Sequence, residues 1–503
     1  MYFQRGEMIV KKIIPCVLVA AIVLVMINMV GIRPAHVSAD STFIDDESTY
    51  AALDQQAIYD ELFDLNSVVD ISIDISKEQI ANLQKDFEYF RIKHSRSSVY
   101  RIADNVTFTI NGRKYVIDEV GIRMKGTTSR CNFFDDVLGI YNLVNLRICF
   151  NCTFDDTGDY GLETRVWKTK EEKKKRENRT FATMKSLELK WNIIGDNTYV
   201  RNIYTQEVFR DYGVPAQKCV LSTLSLRGCK LGIYRVFEPV DEGFVHRYFP
   251  QEDWGGDLYK VRCTNRSPAT YLLGNDYGIA SKKRTVDCNF DLKTNTDTSG
   301  HESMKRLLET INKPDASKED FESVADMDEL ALMTAINFAM GNQDDMRNNY
   351  NNHYVYFRKS DGKAVFIPYD NEIVLGDTYV WSQSESALTE ESPYMEYNAR
   401  FASTQENPML RQTALKGGYF TDLYSGYLRD LAGSKWMTVW NYRRYFRTAQ
   451  EHYSDKLISK YNYLSTMHMN IDFSMDGGED YNGNMSIEEY MTKMKANILS
   501  RVE

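Results

Sequence analysis

The chain has little proline and glycine. Its 503 residues include 10 Pro and 28 Gly, while Tyr (33) and Phe (24) are plentiful. This composition excludes collagen-like and Pro/Gly-rich low-complexity chains, and the 43% of hydrophobic residues excludes a disordered one. No internal repeat is apparent, which argues against solenoids and propellers. The sequence therefore predicts folded protein nearly throughout, as about two to four domains or one large two-lobed enzyme.

The chain also lacks an excess of positive charge. Lys and Arg number 61 against 71 Asp and Glu, which gives a formal net charge of −10. This balance argues against a nucleic-acid partner, because such proteins carry basic surfaces that neutralise phosphates. The acidity is compatible with basic protein partners, although it is also typical of proteins that simply need to stay in solution.

Cysteine and histidine are too few and too scattered for a zinc centre. Cys149 and Cys152 have CxxC spacing, but no second CxxC or pair of histidines completes a zinc site. Seven cysteines follow residue 39, so at least one thiol stays unpaired. Some disulfides are expected outside the cytosol, and the sequence leaves their pairing open. No GxSxG or HxxxH motif indicates a serine esterase or a zinc hydrolase.

Residues 1–39 have the pattern of an export signal. Lys11 and Lys12 precede an apolar run over residues 13–32, and residues 37–39 (Val-Ser-Ala) resemble a signal-peptidase cleavage site. The run is also just long enough to span a bilayer as an uncleaved signal anchor. The pattern predicts an exported protein, extracellular or at the cell surface, that contacts the membrane only through such an anchor.

Strand and helix patterns divide the remaining chain into three parts. Residues 40–240 predict a sheet-rich lobe with antiparallel hairpins and a charged insertion at 150–180. Residues 241–400 predict a second lobe dominated by helices, and residues 401–503 predict a helical extension of it. The fold class is therefore predicted as α+β with two lobes.

A loop rich in Asn and Asp follows the most apolar helix pattern. Residues 342–352 read Asn-Gln-Asp-Asp-Met-Arg-Asn-Asn-Tyr-Asn-Asn, and the second strand of the next hairpin leads to Asp370. Oxygen ligands of this kind hold Mg²⁺, and a separate carboxylate can orient an attacking hydroxyl in phosphoryl transfer. The alternative is a turn whose Asn and Asp side chains only cap nearby backbone.

The order of chemical groups along the chain is that of a protein kinase. A kinase needs a strand lysine, a helix glutamate, a hinge, a loop with Asp and Asn, and a metal-binding Asp after a hairpin. The chain supplies these groups in that order as Lys190, Glu207, Glu238, Asp344 with Asn352, and Asp370. It lacks His-Arg-Asp, Asp-Phe-Gly and GxGxxG motifs, which excludes an ordinary protein kinase.

Six segments together resemble the spore coat protein CotH family of atypical, secretory-type protein kinases. They are residues 121–129, 232–241, 256–260, 342–344, 352–356 and 368–370. None of these motifs is specific alone, but their combination in this order is. The resemblance extends over roughly residues 65–380 and leaves the insertion at 150–180 and the tail after 400 without a counterpart.

The resemblance implies a bilobal, atypical protein-kinase-like fold with an antiparallel-sheet N-lobe and a helical C-lobe. It implies transfer of the γ-phosphate of ATP, with Mg²⁺ or Mn²⁺, to Ser/Thr hydroxyls of exported or spore coat proteins. The protein substrates are expected to be rich in Ser/Thr and basic. The rival hypothesis is a non-catalytic coat or envelope scaffold that keeps the kinase-like fold, and a third is transfer to a glycan or small molecule.

The resemblance also assigns site residues. Asp344 matches the catalytic base, Asp370 is assigned as catalytic and metal-binding, and Asn352 is assigned as a further metal ligand. The proposed cofactor-binding residues are Arg123, Lys125 and Lys260 from the family motifs, with Lys190 and Glu238 added from the kinase order alone. Asp345 leaves the choice of base open, and Glu372 is a candidate for an extra metal ligand.

Overall fold

The computed structural model describes most of the chain after residue 51. The described residues are 41–44, 52–93, 99–126, 130–137, 139–154, 169–193, 195–263, 268–279, 288–378, 384–394, 407–457, 472–476 and 485–502. The predicted export signal at 1–39 lies outside them, and so do residues 155–168 of the predicted insertion. In the described part of the chain, no helix has the length and apolar character needed to cross a membrane.

The described residues combine strands and helices along the whole chain. The strands are β1 Ser41–Ile44, β2 Val69–Asp74, β3 Arg101–Ile110, β4 Arg113–Lys125, β5 Phe134–Asp135, β6 Ile140–Tyr141, β7 Asn145–Cys149, β8 Ser186–Trp191, β9 Cys219–Leu226, β10 Cys229–Phe237, β11 Leu258–Val261, β12 Tyr277–Gly278, β13 Phe290–Leu292, β14 His353–Phe357 and β15 Ala364–Pro368. The helices are α1 Gln55–Leu62, α2 Lys77–Lys93, α3 Lys170–Glu177, α4 Arg201–Asp211, α5 Glu242–Tyr248, α6 Glu302–Ile311, α7 Lys318–Val324, α8 Met327–Ala339, α9 Pro408–Thr413, α10 Thr421–Gly433, α11 Val439–Tyr453 and α12 Ile487–Arg501. The predicted mixture of helices and sheets is confirmed.

Seven strands of the front half form a closed sheet. Their order is β4, β3, β2, β9, β10, β8 and β7, and β7 pairs again with β4. The closure depends on the length of β4, because residues 113–122 pair with β3 while residues 121–125 pair with β7. All neighbours are antiparallel except β2 and β9, which are parallel. The predicted antiparallel N-lobe sheet is therefore corrected to a closed seven-stranded barrel with one parallel pair.

Two local features of the closed sheet follow directly from the sequence. Asn111 and Gly112 form the turn between β3 and β4, and both have positive φ, as a two-residue hairpin turn requires. In β8, Leu187 and Leu189 point into the apolar core of the closed sheet. Glu188 and Lys190 alternate with these leucines along the strand, so both side chains point to the opposite face of the sheet.

The back half contains a second sheet as well as helices. Its strands follow the order β12, β13, β11, β14 and β15, and β11 pairs antiparallel with β14. The hairpin predicted before Asp370 is present as β14 and β15, but the strands that extend it into a five-stranded sheet were not predicted. Helix α8 is buried on all sides from Leu330 to Ala339, which explains its continuous apolar sequence.

Strand β9 connects the two halves of the molecule. Val220 and Leu224 belong to the apolar core of the closed sheet, while Cys219 and Leu221 belong to the core that includes α4 and α8. Successive strand residues point to opposite faces, so one strand contributes to both cores. The outer face of the closed sheet thereby packs against the back half, and the charged face of β8 is brought close to the end of the β14–β15 hairpin.

The charged run before β8 forms a helix, α3. Thr169 caps it, with Glu172 completing a capping box. Just after the helix, Arg179 is fully buried and forms an ion pair with Asp118 of β4 at 2.9 Å, which holds the end of the helix against the closed sheet. The run is therefore a surface helix that is fixed to the closed sheet through arginine side chains.

Candidate functional site

The β14–β15 hairpin places Asn352 and Asp370 at the same end. His353 is paired with Pro368, and the carbonyl oxygen of Asn352 accepts a hydrogen bond from the amide of Tyr369 at 3.0 Å. Asn352 and Asp370 both have positive φ, 53° and 61°. This backbone conformation is uncommon for residues other than glycine and concentrates at functional sites. The two residues predicted to face a metal are therefore neighbours.

Asp344 lies in the loop between α8 and this hairpin, and side-chain amides surround its carboxylate. Asn349 donates to one carboxylate oxygen at 3.0 Å, and Asn352 donates to the other at 2.7 Å. Burial raises the pKa of Asp344 to about 7; the hydrogen bond from Asn349 opposes this rise, and the negative charge of Asp370 adds to it. Asp344 and Asp370 are therefore close enough to interact electrostatically.

Asp345 has a different environment from its neighbour. Its side chain is buried, and one of its oxygens accepts hydrogen bonds from the backbone amide of Asn348 at 2.8 Å and from the Asn348 side chain at 3.0 Å. Burial raises the pKa of Asp345 to about 6, against the effect of these bonds. Asp345 therefore holds the loop in shape, while the half-buried Asp344 belongs to the group that contains Asp370.

Lys190 of β8 connects the closed sheet to Asp370. Its ammonium lies 2.5 Å from a carboxylate oxygen of Asp370 and 3.4 Å from Glu372. Burial would raise the pKa of Asp370, but attraction to Lys190 and its hydrogen bond bring it below the ordinary value. Glu207, considered as a partner of Lys190 by analogy with kinases, instead forms an ion pair with Arg210 within α4.

Three lysine ammonium groups surround the side chain of Tyr369. The ammonium nitrogens of Lys260, Lys190 and Lys125 lie 4.0, 5.1 and 5.3 Å from its centre. Lys125 also donates to the Tyr369 hydroxyl at 2.7 Å. The electron-rich face of an aromatic ring attracts cations, and this attraction is stronger where water is excluded. Tyr369 lies in the segment 368–370 that resembles the CotH family, but the sequence alone did not predict a role for it.

Glu188 is a second residue of this site for which the sequence alone did not predict a role. It forms an ion pair with Lys125 and accepts a hydrogen bond from the Tyr369 hydroxyl at 3.3 Å. Burial opposes its ionisation, yet Lys125 and Arg147 lower the pKa of Glu188 to about 2. The alternating sequence of β8 could have indicated Glu188, because it places this residue on the same face as Lys190.

Two of these three lysines are poorly stabilised as cations, whereas Asp370 and Glu372 raise the pKa of Lys190 above its usual value against the effect of burial. Burial lowers the pKa of Lys125 to about 8, since attraction to Glu188 is offset by repulsion from Lys190 and Arg147. Burial and repulsion from Lys125 lower the pKa of Lys260 well below its usual value. Cations held in this state favour an anionic ligand, because added negative charge would stabilise their protonated forms.

Two of the predicted cofactor-binding residues contact tyrosine side chains other than Tyr369. The Arg123 guanidinium lies 4.7 Å from the centre of the Tyr100 ring. Glu238 is fully buried and accepts hydrogen bonds from the hydroxyls of Tyr59 and Tyr248, both at 2.6 Å. Lys125, Lys190, Lys260, Asp344, Asn352 and Asp370 are the predicted site residues that the structure brings together.

The family model described as CotH kinase protein matches residues 160–434, more than half of the chain. The chain belongs to the CotH kinase family. No curated protein matches it. The matched range includes β8, the Asp344 loop and the β14–β15 hairpin, and it extends through α9 and α10. The matched range 160–434 and the range 65–380, over which the motifs resemble the family, therefore differ at both ends.

Asp370 and Asn352 of the CotH site would hold a metal ion only together with oxygens from a further ligand. Among the described residues, no group of three or more His, Cys, Asp or Glu side chains is arranged to hold a metal by itself. Asn352 donates through its amide nitrogen to Asp344, and neither of these hydrogen bonds uses its amide oxygen. Mg²⁺ typically binds to one or two carboxylates and takes further oxygens from phosphates and water.

Replacing Glu238 with Ala is expected to destabilise this CotH chain. Arg247 is paired with Glu238 at 3.1 Å, and removing one partner of a buried ion pair leaves the other charge uncompensated. The free energy of unfolding should fall by about 3–5 kcal/mol, measured by urea unfolding. Glu242→Ala is the control, because that carboxylate is exposed. An intact fold with weakened ATP binding in Glu238→Ala would instead support the cofactor role.

Proposed function

We propose that this CotH family member is an Mg-ATP-dependent atypical protein kinase that phosphorylates Ser/Thr residues of exported or spore coat proteins. The observation that carries the proposal is the contact of Lys190 with Asp370 beside Asp344. It joins a strand lysine from the closed sheet to an aspartate that follows a hairpin in the back half. A two-lobed kinase-like fold, with the site between the halves, accounts for this arrangement.

Asp344 is proposed to receive the proton of the acceptor hydroxyl. A general base works best when its pKa lies near the operating pH, and the pKa of Asp344 is raised to about 7. Amide donors fix its carboxylate without supplying a competing charge. Asp345 is proposed to be structural, because its carboxylate is used by the backbone of its own loop.

Lys125, Lys190 and Lys260 are proposed to bind the phosphates of ATP. Fixed cations stabilise the charge that is spread over the phosphoryl oxygens during transfer. Asp370 and Asn352 would hold Mg²⁺, which when bound neutralises phosphate charge. Lys190 would then exchange part of its contact with Asp370 for a phosphate oxygen, while Glu372 remains as a second carboxylate partner at 3.4 Å.

Binding of Mg-ATP is the test that separates the kinase from the scaffold hypothesis. The kinase should unfold at a higher temperature when Mg-ATP is added, because a ligand that binds only the native state stabilises it. Lys190→Met should show little of this shift. The exposed Lys185 precedes the same strand, so Lys185→Met is a matched control that should respond like the unaltered chain. The absence of any shift in the unaltered chain would favour the scaffold.

ATP binding at pH 8 is expected to be accompanied by proton uptake. The pKa of Lys125 is lowered to about 8, so part of its population is neutral at this pH, and phosphate charge would raise the pKa in the complex. Affinity should therefore fall as pH rises through 8. Titration calorimetry in two buffers of different ionisation enthalpy measures the uptake, and Lys125→Met should reduce it. Equal heats in both buffers for the unaltered chain would contradict this expectation.

A further inference from the structure

Cys149 and Cys152 are brought together by a turn at the end of β7. Phe150 and Asn151 lie in the turn between them. The first and last Cα atoms of a β-turn lie closer than about 7 Å, and natural disulfides span Cα separations of about 4.4–6.8 Å. The backbone path is thus compatible with a bond between the two sulfur atoms.

A glycine on the neighbouring strand makes room for this arrangement. Cys149 is paired with Gly121 of β4. A Cβ atom placed on Gly121 would lie 2.8 Å from the Cβ of Cys152 and 3.1 Å from its sulfur. Cys152 therefore occupies the space that a side chain at position 121 would need, and both cysteines lie against the same glycine.

The surroundings favour a reactive thiol at position 149. The Cys152 side chain lies within hydrogen-bonding reach of the Cys149 sulfur, and Arg147 and Arg123 form a cross-strand pair next to it. The hydrogen bond from Cys152 lowers the pKa of Cys149, burial opposes this effect, and the two arginines add to it. Both cysteines are half-buried.

A metal site is a weaker explanation for these thiols. Two cysteines supply half of the ligands that a structural zinc site needs. Among the described residues, no third His, Cys, Asp or Glu completes such a group. Two adjacent thiols that do not bind a metal can instead undergo thiol–disulfide exchange, and an electropositive environment favours this reaction.

We propose that Cys149 and Cys152 are a redox-active pair that interconverts between a dithiol and a disulfide, with a small-molecule disulfide as the oxidant. The Cys149 thiolate attacks one sulfur of the oxidant, forming a mixed disulfide and releasing one thiolate. Cys152 loses its proton to solvent and attacks the Cys149 sulfur, which releases the second thiolate. The protein loses two hydrogen atoms, and the oxidant is reduced to two thiols.

The first test is disulfide mapping of the full chain. The protein is equilibrated with oxidised glutathione, its remaining thiols are alkylated under native conditions, and its peptides are identified by mass spectrometry. We expect an internal link between residues 149 and 152, lighter than the dithiol by two hydrogen atoms. Reduction with excess dithiothreitol should make both residues available for alkylation. Absence of this link, or pairing of either residue with another cysteine, would overturn the proposal.

Single variants test the proposed order of attack. Cys152→Ser should accumulate glutathione as a mixed disulfide on Cys149, because the second thiol is missing. Cys149→Ser should react with oxidised glutathione at least about tenfold more slowly at position 152, because the activated thiolate is gone. Cys229 is exposed, so Cys229→Ser is the control, and it should keep the 149–152 link. Equal reactivity of the two single variants would contradict the order of attack.

Discussion

Replacing Asp344 with Asn is expected to reduce phosphoryl transfer by about 10³-fold while the fold and ATP binding are retained. The amide has the shape of the carboxylate but cannot accept the proton of the acceptor hydroxyl. Asp344 is half-buried, and the side-chain amide of Asn349 that donates to it can rotate to accept from the new group. Single-turnover transfer measures the loss, and the temperature of unfolding checks the fold.

Asp345→Asn is the matched control, because it makes the same change one residue along the chain. Asp345 holds the loop through the backbone and side chain of Asn348, so its loss should lower the free energy of unfolding by about 1–3 kcal/mol. Transfer should fall much less than in Asp344→Asn. Near-normal transfer in Asp344→Asn, with transfer abolished in a well-folded Asp345→Asn, would show that Asp345 is the base.

Replacing Asp370 with Asn is expected to abolish the dependence of ATP binding on metal and to reduce transfer by about 10³-fold. The change removes the carboxylate proposed to hold Mg²⁺ and also the nearest anion to Lys190. The fold should be retained, because Lys190 keeps Glu372 as a partner. Titration of ATP in the presence and absence of Mg²⁺ measures the effect.

Glu372→Gln separates the role of a metal ligand from that of an ion-pair partner. Glu372 lies 3.4 Å from Lys190 and 3.5 Å from Arg235, which accounts for its carboxylate without a metal. Its removal should leave ATP binding dependent on Mg²⁺. Loss of metal dependence in Glu372→Gln but not in Asp370→Asn would reverse the proposed assignment.

Local parts of the fold could be predicted because they depend on nearby residues. The turn at Asn111-Gly112 follows from the positive φ that its two positions require, and β8 follows from its alternation. Closure of the sheet could not be predicted in this way. It depends on β7 pairing with residues 121–125 of β4 and on the parallel pairing of β2 with β9. Such pairings join distant segments, and no local pattern specifies them.

In the candidate site, too, residues marked by a local pattern could be predicted, and residues that depend on distant partners could not. Asp344, Asn352 and Asp370 could be found because they lie on a dense polar loop and at a strand end. Glu188 and the ring of Tyr369 were missed, since their importance comes from three lysines that three separate strands supply. Glu238 was assigned from its place in the chain, whereas its contacts are with Tyr59, Tyr248 and Arg247. The roles of all these residues stay predictions.

Transfer of labelled phosphate is the most direct measurement of the central claim. The chain would be incubated with γ-labelled ATP, Mg²⁺ or Mn²⁺, and a Ser-rich basic polypeptide, beside Asp344→Asn and Asp370→Asn. The kinase account predicts metal-dependent label on Ser or Thr with the unaltered chain and almost none with either variant. Label that persists in both variants, or no label together with no binding of Mg-ATP, would contradict it.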